Sequence, residues 1–203
     1  MDDVLTQGAE GQAFHADDWY AAEIEAVRFL DCVFTDVDLT EATSKGTTFE
    51  RCTFHSCKFN ASTHIATAFV GCDFRRTNFF DAMFDGCKLN GSVFAECTVR
   101  PIAVRGGQWR GVTLRGANLA RLDLADVDLR ESDLSMADLT GTSLRGARLG
   151  GVTLRDTNLT ETDLRGASLD GVDLSAARLK DTRLDLSGAV LLAELHGAVV
   201  DTA

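Results

Sequence analysis

Val112-Thr113-Leu114-Arg115-Gly116-Ala117-Asn118-Leu119-Ala120-Arg121-Leu122-Asp123-Leu124-Ala125-Asp126-Val127-Asp128-Leu129 is a stretch in which leucine returns at every fifth position, at 114, 119, 124 and 129. The series runs on without a slip to Leu184. Two residues before each leucine stands a small or branched residue, such as Val112, Ala117, Val127, Ala137, Thr142 and Thr157. Asp or Asn often stands immediately before it, as at Asn118, Asp123, Asp128 and Asp133. A fixed self-similar period marks an architecture of stacked repeats.

A period of five suits neither common element. In an α-helix five residues advance about 500°, which scatters the leucines around the cylinder. In a flat strand an odd period sends alternate leucines to opposite faces. The pattern closes only if the chain turns a corner every five residues with the central residue pointing inward. Of 18 glycines, 13 lie two residues after a central position, where a tight turn uses their permissive dihedrals. Eleven of those fall into two of four columns spaced by 20 residues, among them Gly46, Gly86 and Gly146 in one and Gly71, Gly111 and Gly151 in the other. A 20-residue repeat built from five-residue sides is a four-sided coil, so the fold read here is an all-β square solenoid.

The units Ala117-Asn118-Leu119 and Ala137-Asp138-Leu139 match the A-(D/N)-L-x-x consensus, and the chain resembles the pentapeptide-repeat proteins. The resemblance implies a right-handed quadrilateral β-helix. Two further stretches resemble the fluoroquinolone-resistance branch of that family, the MfpA/Qnr type. One is Gly91-Ser92-Val93-Phe94 with Cys97 and Arg100-Pro101, where the family proline is cis. The other is the tail pattern Arg183, Asp185, Ala189-Val190, Ala193 and His196-Gly197, similar to a dimerising C-terminal helix. The chain has no register break that would accommodate the projecting loops of many Qnr proteins.

The same register extends upstream with phenylalanine at the centre, from Phe29 and Phe34 through Phe94, and back through Ile24 and Trp19 to Phe14. Residues 1–13 read as a loose segment, 14–186 as the solenoid, and 187–203 as a short α-helix and tail. Gln12 and Asp17 would point inward, which makes the first coil imperfect. In the tail Ser187 reads as N-cap and Gly197 as C-cap of an apolar helix that covers the last coil. Its remaining apolar surface, Val190, Leu191, Leu192 and Leu195, is expected to form a homodimer interface.

Cys32, Cys52, Cys57, Cys72, Cys87 and Cys97 all occupy the inward slot two residues before a centre, and reduced core packing is expected for all six. The run from Cys52 through His55 to Cys57 does not make a metal site, because the register points His55 outward and the cysteines inward. Ser44 and His64 are polar centres 20 residues apart, and they read as a buried, vertically stacked hydrogen-bonded pair. Pro101, the only proline, cannot donate to a ladder and marks a corner or kink. No Walker A loop, HExxH or GxSxG occurs, and no catalytic residue, cofactor or metal is expected.

With 31 acidic against 20 basic residues the net charge is −11, a sign that argues against direct nucleic-acid binding. No apolar run spans a membrane and the start Met1-Asp2-Asp3 lacks a signal-peptide pattern, so a cytoplasmic location is expected. About nine coils at roughly 4.8 Å make a rod near 42 Å long. Duplex DNA of that length carries about 25 phosphates, so shape would carry more of any imitation than charge. Three sides carry a net −2 each, and the fourth, with Arg28, Arg51, Lys88, Arg110, Arg130 and Arg148, a net +1. The family resemblance implies a DNA-mimicking dimer that binds DNA gyrase or a related type II topoisomerase. It would protect that enzyme from, or modulate, poisons such as quinolones or a self-made antibiotic. Glu161, Asp163, Asp170, Asp173, Asp181 and Asp185, near the proposed dimer helix, are the candidate gyrase-facing acids. The alternative is a non-catalytic interaction scaffold.

Overall fold

The computed structural model describes residues 2–201; Met1, Thr202 and Ala203, the extreme ends of the two terminal segments, lie outside the described residues. Three sides of the coil are parallel sheets. The first holds β1 (Ala9–Glu10), β4 (Arg28–Leu30), β7 (Thr48–Glu50) and β10 (Ala68–Val70). The second holds β2 (Ala13–His15), β5 (Val33–Thr35), β8 (Thr53–His55), β11 (Asp73–Arg75) and β13 (Val93–Ala95). The third holds β3 (Glu23–Glu25), β6 (Thr43–Lys45), β9 (Thr63–Ile65), β12 (Ala82–Asp85) and β14 (Ile102–Arg105). The fourth side, lying between the second and third in the coil, is narrower and pairs through single residues, Asp18 to Asp38 to Lys58 to Asn78 to Thr98. Past residue 107 all four sides contract to such bridges, for example Gln108 to Asp128 and Thr113 to Asp133. Every pair is parallel and joins residue n to n+20, so this is the quadrilateral β-helix read from the repeat.

The corners explain the five-residue period. Leu114-Arg115-Gly116-Ala117 is a turn closed by the Ala117 N–H on the Leu114 carbonyl at 3.0 Å, with Gly116 at φ 67°. The same left-handed residue recurs at corners without glycine, including Ala16 (φ 55°), Arg51 (φ 50°) and Met136 (φ 62°). Glycine therefore eases the corner and does not define it; each other residue there costs about 1 kcal/mol, offset by ladder bonds on both sides. Gly107 is different. A Cβ there would lie 2.6 Å from the Cys87 carbonyl and 3.3 Å from the Trp109 ring nitrogen, so the bulky centre Trp109 requires an empty slot beside it.

Inside the coil, like stacks on like. Phe14, Phe34, Phe54, Phe74 and Phe94 form one column with ring centroids 4.6–4.9 Å apart. Phe29, Phe49 and Phe69 form a second at 4.9 Å. Rings in neighbouring columns meet edge to face, as Phe29 meets Phe34. The slot residues complete the interior by donating to carbonyls. Cys57 Sγ reaches the Phe34 carbonyl at 3.4 Å, Cys87 that of His64 at 3.2 Å, and Thr77 and Ser92 those of Phe54 and Phe69. On these sheet sides the slot side chain adds a donor to the central carbonyl one coil back. Burial holds the Cys57 and Cys87 thiols at about 11, protonated at neutral pH.

His64 is fully enclosed. Ser62 donates its one hydroxyl proton to the Phe59 carbonyl at 2.7 Å, so it accepts from His64 Nε2–H at 2.9 Å. Nδ1 is then the acceptor for the Ser44 hydroxyl at 2.7 Å. The stacked Ser44–His64 pair is present as read, with Ser62 and Thr67 completing it.

Several expectations need correction. Within the segment expected to be loose, α1 (Asp2–Gln7) is helical, Val4 and Leu5 pack on the core, and β1 pairs with β4. Gln12, expected to point inward, is exposed. Five cysteines are buried, but Cys97 is only half-buried, beside an interruption of the ladder. Leu179 and Leu184 are likewise half-buried, since the last coil has one neighbour and a partial lid. That lid, α2 (Leu186–Leu195), is capped by Asp185, whose carboxylate accepts from the Gly188 N–H at 3.0 Å, and not by Ser187; its C-cap is His196, with Gly197 beyond it at φ 83°.

The interruption surrounds the Arg100–Pro101 bond, which is cis. Corner residues on this edge pass an N–H to the next coil, as Glu41 does to Asn60 and Arg121 to Thr140. Proline has none. From Glu96 to Gly106 no main-chain bond reaches the following rung, Arg115 to Ala125, among the described residues, although the other two sides stay joined.

Two outcomes test this interior. Replacing Cys57 by Ser should leave the urea midpoint near that of the parent, whereas Cys57→Val should cost about 0.5–1.5 kcal/mol by removing the slot donor from the Phe34 carbonyl, which keeps its place in the β5–β8 ladder. His64 has a folded pKa of about 3 against 6.5 unfolded, so the unfolded chain binds the extra proton between those values and stability falls as pH drops below 6.5. The depressed carboxylates begin to lose their contribution below about pH 5, so the window from pH 6.5 to 5 isolates the imidazole. His64→Phe should flatten the stability-versus-pH curve there, measured by urea melts, whatever its effect at pH 7.

Candidate functional site

The candidate site is the charged exterior, and its acids divide by what holds them. An Asp or Asn immediately before a centre accepts from the N–H two residues on, as Asp38 does from Thr40, Asp123 from Ala125, Asp133 from Ser135 and Asp138 from Thr140, all within 2.9–3.1 Å. This Asx turn is why the repeat favours D/N there. These carboxylates brace corners before they serve any partner.

Ion pairs occupy others. On the side with net +1, Arg28 meets Glu50, Arg51 meets Asp31 and Glu50, Arg110 meets Glu131, and Arg130 and Arg148 meet Asp128. Among the described residues Lys88 is the one cation of that set without a carboxylate partner. The positive excess is therefore mostly neutralised within the wall, with Asp128, 6% exposed, as its buried anchor. The Arg130 guanidinium holds the Asp128 carboxyl below its ordinary range.

The six acids proposed from sequence do not form one patch. Glu161, Asp163 and Asp181 converge on a shallow concavity of about 350 Å³ with Arg183, at the corner where the narrow side meets the third sheet's side. Asp163 is clamped by Arg165 at 2.7 Å and Arg145 at 3.3 Å, which hold its carboxyl far below the usual range. Asp185 is spent on α2: the Gly188 N–H, the Ser187 hydroxyl and the Gly166 N–H hold it at about 2. Asp173 caps a 3-10 turn at Leu174–Ala176 through Ser175. Asp170 sits on the opposite wall, beside a cleft between the last coil and Leu191. Glu161 and Asp181 alone among the six combine convergence with freedom from an ion pair or a cap among the described residues. Sequence position could not reveal this sorting, though the recurrent Asp before each centre was its signal.

Of the four proposed interface residues, Leu191 and Leu192 pack partly on the core, and Val190 is half-buried. Leu195 is 39% exposed, and Leu186 and Val199 outside the proposed set are 81% and 98% exposed. No group of His, Cys, Asp and Glu side chains that could hold a metal occurs among the described residues.

With this geometry in place, the comparisons agree on the class. Family models match residues 47–137 (pentapeptide repeat region) and 147–185 (pentapeptide repeats, eight copies), together more than half of the chain. The chain belongs to the pentapeptide-repeat family. A model of the SV2A/B/C luminal domain also matches residues 6–79. Among solved structures the chain is similar in fold to a trypsin-treated variant of QnrB1, a plasmid-mediated fluoroquinolone resistance protein, at 20% identity and TM-score 0.72, covering 97% of this chain and 98% of that one. A second trypsin-treated QnrB1 variant aligns at 17% identity and TM-score 0.68, covering 95% and 99%. No curated protein matches the chain.

The division of acids can be measured. Asp128→Ala should lower stability by about 1–2 kcal/mol, since it removes a corner brace and leaves Arg130 and Arg148 unpaired. Glu161→Gln and Asp181→Asn should leave the thermal midpoint unchanged.

Proposed function

We propose that this protein is a non-catalytic, acidic rod that binds a type II topoisomerase such as DNA gyrase in place of duplex DNA. In this reading it modulates the enzyme's response to poisons of the quinolone kind. The observation that carries the reading is an uninserted four-sided rod of net charge −11 that corresponds in fold, end to end, to a fluoroquinolone resistance protein. A DNA-binding groove is basic, and an acidic rod approaching it gains in association rate, an advantage that salt screens. Glu161 and Asp181 are the proposed contact acids because their carboxylates are not committed to the rod itself. The rod would act as a homodimer joined at α2, with the exposed Leu195 and half-buried Val190 in the interface and Leu191 and Leu192 seating the helix on its own coil. Direct nucleic-acid binding is not part of this reading, and the site of action is the cytoplasm. No helix among the described residues is long and apolar enough to cross a membrane.

A scaffold reading gains support from the Asx turns and ion pairs, which engage many of the acids within the wall. The two separate in one experiment. Gyrase affinity is measured across a salt series for the parent, for Glu161→Lys with Asp181→Lys, and for Glu23→Lys with Asp36→Lys, with quinolone-induced cleavage followed in parallel. The expected result is affinity that weakens as salt rises, a loss of tenfold or more in the first double variant, and near-parent behaviour in the second. Leu195→Glu should sediment as a monomer. No gyrase binding, or binding indifferent to the first pair, would leave the scaffold reading in possession.

A further inference from the structure

Half of one coil's perimeter is open in the middle of the rod. β14 is an edge strand of the third sheet, paired with β12 and with nothing on its other side, although the solenoid continues beyond it. The N–H groups of Glu96, Val99, Val104 and Gly106 and the carbonyls of Cys97 and Ile102, which would bond to the next rung, make no main-chain bond to it among the described residues. Across the opening, the Asn118 and Asp123 N–H groups lack main-chain partners as well. An open β edge with donors and acceptors in ladder spacing is a template for another strand.

The opening also has depth and charge. A cleft of about 240 Å³ lies between the rungs, lined by Phe94, Cys97, Val99, Arg115 and Ala117. Behind it is a small apolar void where Phe84 and Trp109 of the aromatic half meet Leu114 and Leu119 of the leucine half. Val104 and Ile102, inward by register, are only half-buried here. Along the two rims, residues 96–106 and 115–125, four arginines (Arg100, Arg105, Arg115, Arg121) less two acids (Glu96, Asp123) leave a local charge of +2 in a chain of −11. Of the four, only Arg105 makes an ion pair among the described residues, with Asp85 at 3.7 Å.

We infer that this opening binds an extended acidic segment of a partner polypeptide, which adds as a parallel strand to the free edge of β14. Alternate side chains of the segment face inward over Val99, Ile102 and Val104, and these are apolar and β-branched. The others face the arginine rims, and these are acidic. Main-chain pairing supplies affinity, and the rims select for charge.

The test uses the full-length protein and three capped nonapeptides: alternating Glu and Val, the same with Lys for Glu, and the Glu peptide with a central Pro. NMR amide shifts and hydrogen exchange are the readouts. The Glu–Val peptide should bind saturably and slow exchange at Val99, Val104 and Gly106. The Lys peptide should bind at least tenfold more weakly, and the Pro peptide should not protect. Arg100→Glu with Arg121→Glu, both exposed, should lose tenfold in affinity with an unchanged circular dichroism spectrum. The inference is overturned if the peptide shifts only amides elsewhere, or if Lys and Glu peptides bind alike. It also fails if Val104 exchanges as slowly as Leu124 in the free protein, or becomes protected simply as protein concentration rises. The first result would mean that the coil closes on itself, and the second that another copy fills the edge.

Discussion

Each coil hands its N–H and C=O groups to the coil 20 residues later, and this parallel ladder, with its rise of roughly 4.8 Å, is the constraint on which the molecule depends. The rise is also close to the stacking distance of aromatic rings, seen here as centroid separations of 4.6–4.9 Å in the phenylalanine column of the second sheet. Backbone pairing and side-chain stacking thus reinforce one another, and a residue's most important neighbour is its own counterpart one coil away. The corners follow from the same requirement. A left-handed residue is strained alone, yet Arg51 and Met136 adopt that conformation because the ladder holds them on both sides.

The ladder also sets what the interior must contain. On the sheet sides Cys57, Thr77, Cys87 and Ser92 serve as internal donors to central carbonyls one coil back. The buried histidine obeys the same accounting, since each of its ring nitrogens meets a serine hydroxyl. Cys57 and Cys87 are small donors that fit a slot, and burial removes the thiolate chemistry that would otherwise draw notice.

On the surface, structure and recognition compete for the same carboxylates. Asp before a centre closes an Asx turn, Asp128 anchors an arginine cluster, and Asp185 caps α2. What remains for a partner is the smaller set at corner positions, Glu161 and Asp181 among them. A count of charge overstates the freely presented negative surface for this reason. The opening after Pro101 shows the same economy in reverse: a residue without an N–H, placed where the aromatic and leucine cores meet, releases seven rung positions at once, from Glu96 N–H opposite Arg115 to Gly106 N–H opposite Ala125.

The period of five, the four-sided coil, the inward slots and the Ser44–His64 stack were all legible in the amino-acid sequence, because each follows from counting along a strictly repeating ladder. So was the corner role of Pro101, from the missing donor alone. The helix at Asp2–Gln7 escaped that reasoning, since it lies outside the repeat and is held by contacts of Val4 and Leu5 with the core. The cap at Asp185 escaped it by two residues, because Ser187 has the right chemistry and only the geometry of the last coil selects the carboxylate instead. Tertiary structure alone decided which acids are free, since an ion pair depends on rotamers across coils and walls. It alone decided that the rod opens between residues 96–106 and 115–125, because a single absent N–H does not say whether neighbouring rungs will close around it or part.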